Sequence, residues 1–265
     1  MLEVVIPAYN EELRLGPTLE SLRTFATSSS ASLAGSRVEV IVVDNASTDR
    51  TADVARRHSS PELPVRVVRC PVRGKGAATA AGVAATEGEF VAFMDADGAT
   101  DLGALDEGVR LLRVGADLAI GSRAVDGSDV SARHTTMRSH GAAVYRSLTN
   151  RIVPGIADTQ CGFKVMRGEV ARTLFSDLTI AGFSFDVELL ALAQRRLHRI
   201  TEYPVRWVDQ PGSTFRPALH GLASFVDLAR VRWRMRRVPQ QAVARIHPVV
   251  PLQPALATVG AVADA

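Results

Sequence analysis

The chain has 265 residues, 46% of them hydrophobic and 22% charged, which excludes a disordered, collagen-like or disulfide-stapled protein. One hydrophobic core supports roughly 250 residues, so one large α/β domain with appendages is expected. The net charge of +3 is mild and concentrated in one block, Arg230 to Arg237, which points to a local anionic partner rather than to nucleic acid.

Leu2 to Pro7 reads as a buried strand ended by proline. Asn10 then offers an N-cap, with Glu11 and Glu12 in the first turn, for a helix carrying Leu15, Leu19, Leu22 and Phe25. Val38 to Val43 is a second strand with Asp44 at its carboxyl end, and Ser47 or Thr48 caps a helix from Asp49 towards His58. Val65 to Arg69 is a third strand. The turn Arg73-Gly74-Lys75-Gly76 leads into an alanine-rich helix through Thr86, and Glu89 to Met94 is a fourth strand delivering Asp95-Ala96-Asp97-Gly98. This alternation predicts a mostly parallel, doubly wound, Rossmann-like sheet with helices on both faces. Ligands bind such sheets outside the carboxyl ends of the strands, where Asp44, Asp95 and Asp97 fall.

From Arg123 to about Ser139 the chain is polar and reads as a mobile loop. Helices are expected over Gly141 to Ile152 and Phe185 to Leu197, and a strand near Arg199 to Val208. The organisation predicted is a domain over 1–220, a basic amphipathic helix over 221–238 and a Pro/Ala-rich, weakly ordered tail over 239–265. Cys70 and Cys161 form no CxxC pair, the N-terminus has no cationic leader, and no run reaches the ~18 apolar residues a membrane span needs. A cytoplasmic protein is expected, with peripheral contact at the inner face of the plasma membrane.

The chemistry centres on Asp95 and Asp97, two carboxylates past a hydrophobic strand, suited to one Mg²⁺ or Mn²⁺ that also takes diphosphate oxygens. The first strand is followed by Pro7-Ala8-Tyr9-Asn10-Glu11-Glu12, without the glycines of a dinucleotide site, which leaves Tyr9 and Glu11 free to contact a nucleoside. Lysine occurs at only two of 31 cationic positions, Lys75 between Gly74 and Gly76 and Lys164 in Gly162-Phe163-Lys164, which suggests phosphate contact. Arg123, Arg133 and Arg138 make the middle region cationic and suited to gripping a phosphate. Asp186 opens an apolar helix, as a cap facing the cleft or as a base. The six histidines show no metal spacing.

Three stretches, Val5 to Glu12, Val42 to Asp49 and Asp95-Ala96-Asp97, resemble the family 2 inverting glycosyltransferases of GT-A fold over about residues 2–215. The likeness is closer still to polyprenyl (dolichyl) phosphate glucosyltransferases. Its carriers are Arg73 to Gly76, Asp95 to Thr100, Gly121-Ser122-Arg123, Asp158 to Lys164 and Phe185 to Leu190. The resemblance implies that Pro7, Tyr9, Glu11 and Asp44 hold the nucleoside, that Asp95 and Asp97 hold the metal, and that Gly121 to Arg138 is an acceptor loop. Two departures stand out. Asp44-Asn45 replaces the usual pair of aspartates, and no hydrophobic anchor like that of many relatives is expected.

The expected reaction is metal-dependent, inverting transfer of a hexose, glucose from UDP-glucose, to a polyprenyl phosphate. Asp97 and Arg123 would be catalytic, Lys75 and Asp95 would hold the donor, and Arg123, Arg133, Arg138 and Lys164 the acceptor phosphate. A hydroxyl acceptor such as a small natural product would instead need a base, for which Asp158 and Asp186 are candidates. A non-catalytic nucleotide-sugar-binding protein is the third alternative. Leu222, Phe225, Val226, Ala229, Trp233 and Arg237 recur at helical spacing, so the basic helix either lies on an anionic membrane, each arginine worth ~1 kcal/mol, or packs on the protein's own core.

Overall fold

The computed structural model describes residues 1–28, 33, 36–131, 137–210 and 217–239, with side chains described for these except 137–143 and 217–222. Its central sheet has seven strands. In chain order they are β1 (Leu2–Ala8), β2 (Val38–Asp44), β3 (Val65–Arg69), β4 (Phe90–Phe93), β5 (Leu118–Ser122), β7 (Lys164–Arg167) and β8 (Ile200–Pro204). A separate two-stranded ribbon joins β6 (Asp129–Ser131) to β9 (Arg206–Val208). Across the large sheet the order is β3-β2-β1-β4-β7-β5-β8. All neighbours run parallel except β7, which is antiparallel to both β4 and β5.

The near-continuous apolar runs follow from burial on both faces. Leu2, Val4 and Ile6 of β1 pack against α1 (Leu15–Thr27), α2 (Thr51–Arg57) and α4 (Gly103–Arg113). Val5 faces the opposite layer with Ile41, Val43 and Phe93. That layer holds α3 (Lys75–Ala84), α5 (Met137–Ile152), α6 (Gly168–Ser176), α7 (Phe185–Arg195) and α8 (Pro217–Met235). Consecutive residues Phe185 to Ala193 of α7 are all buried, so this helix forms the centre of the second layer.

Several expectations shift. The first helix begins at Leu15, and Asn10 does not cap it. Instead Asn10 adopts a left-handed backbone (φ 55°) and its Oδ1 accepts the Thr48 N–H at 2.8 Å. Glu12 likewise accepts the Arg50 N–H, while the Glu11 N–H donates to Thr51 Oγ1, so these residues lace the two strand exits together. The polar stretch read as a loop contains β6, and α5 starts at Met137. The expected last strand is two, β8 and β9, parted at Val205. Strands β5 and β7 and helix α6 were not anticipated.

Helix α8 satisfies one of the two readings and leaves room for the other. Leu228, Val231 and Met235 are buried against the second layer, whereas Phe225, Val226, Ala229 and Trp233 face outward. No helix among the described residues is long and apolar enough to cross a membrane. The tail from 240 onward and Arg133 lie outside the described residues, as does the side chain of Arg138.

Candidate active site

Strand β1 pairs with β2 on one side and β4 on the other, so the chain reverses its direction of travel across the sheet between β1 and β4. Doubly wound sheets carry ligand crevices at such a point. Pro7-Ala8-Tyr9 leaves β1 here and Asp95-Ala96-Asp97 leaves β4. The Asp95–Gly98 turn is pinned from α1, where Thr18 Oγ1 donates to the Ala96 carbonyl at 2.8 Å. Gly98 takes φ 66° close against Thr18, a conformation that suits glycine. Beyond the turn, the Val208 N–H donates to the Ala99 carbonyl at 2.8 Å.

Three carboxylates share this corner. Burial and the neighbouring Asp95 push the Asp97 carboxyl above its usual range. Burial also raises Glu11, with Asp97 and Asp95 adding to it, against the opposing pull of Arg14. Arg14 grips Glu11 through two nitrogens, at 2.5 and 2.7 Å. Its Nη1 is buried without a hydrogen-bond partner, 3.9 Å from Asp97 Oδ2.

Lys75 completes the corner. It begins α3, and its ammonium forms an ion pair with Asp95 Oδ1. Burial alone would lower its pKa, but Asp95 and then Asp186 outweigh that and hold the ammonium more firmly protonated than usual. The turn before it hangs from Asn45, whose Nδ2 donates to the Cys70 and Val72 carbonyls at 3.2 and 2.6 Å and whose Oδ1 accepts the Gly74 N–H at 2.8 Å. Asn45 is therefore a buried bracket for the Lys75 turn. Asp44 accepts the Ser47 N–H at 3.1 Å and keeps partial exposure at the end of β2. Tyr9 is exposed at the rim, with the Arg73 guanidinium 5.6 Å from its ring centroid, and Pro7 lies in the last turns of β1 pairing opposite Val43.

On the other flank, Arg123 at the exit of β5 makes a two-pronged pair with Asp158, at 2.7 and 3.0 Å, and its backbone N–H donates to the same carboxylate. Trp207 lies 5.5 Å below the guanidinium. Burial would raise Asp158, but the Arg123 bonds and charge outweigh it and hold the carboxyl below its usual range. Asp158 thus positions an arginine and is a poor proton acceptor. Lys164, expected on the acceptor phosphate, sits fully buried in β7, where it donates to Asp186 at 2.6 Å and to the Thr159 and Cys161 carbonyls. Asp186 is spoken for by that pair, with burial raising its carboxyl against the pull of Lys164 and Lys75. Neither side chain reaches the rim as a phosphate ligand or a free base.

The donor set suits a hard divalent cation. Among the described residues no group of three His, Cys, Asp or Glu side chains is placed to hold a metal ion, so the protein offers two carboxylates and the remaining oxygens would come from a diphosphate and water. The crowded Asp97 carboxylate and the orphaned Arg14 nitrogen leave negative charge for a cation and a donor for an anion.

The roles of Arg14, Asn45 and Trp207 were not anticipated. Only Asn45 carried a signal, as an interruption of an acidic pair. Arg14 and Trp207 act through Asp97 and Arg123, which lie 83 and 84 residues away in the chain.

A family model described as Glycosyl transferase family 2 matches residues 3–175. The chain is 34% identical over 246 residues to a dolichyl-phosphate beta-glucosyltransferase of Dictyostelium discoideum, covering 88% of this chain and 74% of that one. It is 37% identical over 230 residues to a dolichyl-phosphate beta-glucosyltransferase of Drosophila melanogaster, covering 82% and 69%. Among solved structures, glucosyl-3-phosphoglycerate synthase from Mycobacterium tuberculosis, in complex with Mn²⁺, UDP-glucose and phosphoglyceric acid, matches with a TM-score of 0.64 at 22% identity. That match covers 88% of this chain and 80% of the other, a likeness of fold. The fold is therefore that of the GT-A glycosyltransferases, and the chain belongs to glycosyl transferase family 2.

Proposed function

We propose that this enzyme moves glucose from UDP-glucose to a polyprenyl phosphate, with inversion at the anomeric carbon, and that Asp95 and Asp97 hold the Mg²⁺ or Mn²⁺ it uses. The observation that carries the reading is the convergence of Asp95, Asp97 and Lys75 at the crevice between β1 and β4. The relatives' names supply the sugar and the lipid acceptor, and the Mn²⁺ and UDP-glucose of the mycobacterial structure are in keeping with the donor.

When bound, the cation neutralises charge on the departing diphosphate. Lys75 adds a compact positive charge to the same corner, and Tyr9, Glu11 and Asp44 line the nucleoside side. Arg123 spends Nε and Nη2 on Asp158, which leaves Nη1 to orient the incoming phosphate. A phosphate oxygen is already ionised near neutral pH, its second pKa being ~6, so the attack needs no protein base. The commitment of Asp158 and Asp186 to cations favours this acceptor over a hydroxyl, which requires one.

The outward stripe Phe225, Val226 and Trp233, flanked by Arg230 and Arg236, suits peripheral contact with an anionic bilayer, where the lipid acceptor resides. The test is incubation with Mg²⁺, radiolabelled UDP-glucose and a polyprenyl phosphate. Label entering the organic phase supports the reading; label transferred only to a hydroxyl acceptor rejects it.

A further inference from the structure

The far side of the Lys75 turn rests on a carboxylate that the transfer reaction does not use. Glu188 lies in the first turn of α7 and is fully buried. Its Oε2 accepts the backbone N–H groups of Thr179 and Ile180, each at 2.8 Å, and its Oε1 accepts the Thr179 hydroxyl at 2.7 Å. The Arg234 guanidinium of α8 reaches that same Oε1, and its Nη2 donates to the Asp177 carbonyl at 2.6 Å. Glu188 therefore holds the strap 177–181 from beneath while α8 clamps its start.

The Lys75 turn leans on this strap. The Ala77 N–H donates to the Ala181 carbonyl at 3.1 Å. Gly74 and Gly76 lie so close that a Cβ on either would overlap the carbonyl oxygen of Ala181 or Ile180. Beside this contact an open cavity of about 150 Å³ lies between α3 and the strap, lined by Gly76, Ala80, Leu178 and Ile180 among others. Close packing is interrupted there, so the polar bonds to Glu188 fix the strap's height above α3.

We propose that Glu188 and Arg234 are positioning residues for Lys75: the seating of α8 sets, through Glu188 and the strap, where the Lys75 turn stands against Asp95. Without Arg234 the Glu188 carboxylate is a buried charge with no cation, a costly state that the strap relieves by moving towards solvent. The basic C-terminal helix is thereby joined mechanically to the donor corner. The consequence for donor binding rests on the reading of Lys75 given above; the mechanical link does not.

The experiment compares Arg234→Ala, the milder Thr179→Val and the charge-conserving Arg234→Lys in two measurements. Hydrogen exchange of the nucleotide-free protein is followed at the Ala77 amide. Exchange there is expected to quicken about tenfold or more in Arg234→Ala and Thr179→Val, less in Arg234→Lys, while β1 amides keep their wild-type rates. Titration with UDP in Mn²⁺ is expected to show affinity falling in the same order, and the fall disappearing in a Lys75→Ala background. An Ala77 amide exchanging at the wild-type rate in both Arg234→Ala and Thr179→Val overturns the link. An equal loss of UDP affinity with and without Lys75 overturns the route through Lys75. Failure of the wild-type chain to bind UDP would reject the donor reading, while Ala77 exchange would still decide the link.

Discussion

Gly162 lies against the Asp95 carboxylate so closely that a Cβ built on it would overlap both carboxylate oxygens. The backbone leading into β7 is thus a wall that fixes one of the two aspartates of the donor corner. Gly162→Ala should push Asp95 aside without touching the nucleotide. A displacement of ~1 Å at such a centre costs roughly 100-fold in rate, so kcat/KM should fall by about that much with the fold intact. Near-normal kinetics in this variant would show that Asp95 tolerates displacement.

The same corner shows what was readable from sequence and what was not. Strands β1, β2 and β4 are predominantly apolar, and β2 and the run ending at Met94 stop at aspartates, so the rim bearing Asp44, Asp95 and Asp97 could be placed without coordinates. Strand β7 is four residues, Lys-Val-Met-Arg, led by a charge, and nothing local marks it as central. Lys164 looked like a phosphate contact because Gly162 lies two residues before it; its partner Asp186 is 22 positions away, and only the fold brings them together. Asn10 has the chemistry of a helix cap, but its amide is spent on Thr48, 38 residues on. Local chemistry was legible, and pairing across the sheet was not.

The Arg123–Asp158 pair separates the two acceptor readings. Arg123 holds the Asp158 carboxyl below its usual value, so the folded state binds that proton more weakly than the unfolded chain. The stability this supplies is complete above the ordinary value of 3.8 and is lost as pH falls through the lower folded one. Asp158→Asn should therefore destabilise the protein at pH 7, with the gap to wild type closing at acid pH. Its acceptor KM should rise while the pH profile of kcat keeps its shape. Loss of the acidic limb of that profile, with kcat down ~10²-fold or more, would mark Asp158 as a base instead.

Asn45 supplies two donors and one acceptor to the segment 70–74. Asn45→Asp keeps the acceptor, removes both donors and sets a carboxylate against the Cys70 and Val72 carbonyls. Thermal melting should show a loss of about 1–3 kcal/mol, the usual cost of an unsatisfied buried group, accompanied by a raised KM for the donor. An unchanged melting temperature would mean that the turn does not depend on this bracket.

Asp95 and Asp97 are expected to bind a cation jointly with a diphosphate, and calorimetric titration of UDP with and without Mn²⁺ tests that most directly. Wild-type protein should bind UDP at least ~10²-fold more tightly with Mn²⁺ than with chelator, and Asp97→Ala should lose that gain. UDP binding that is equally tight without metal, or a metal gain that survives Asp97→Ala, would contradict it.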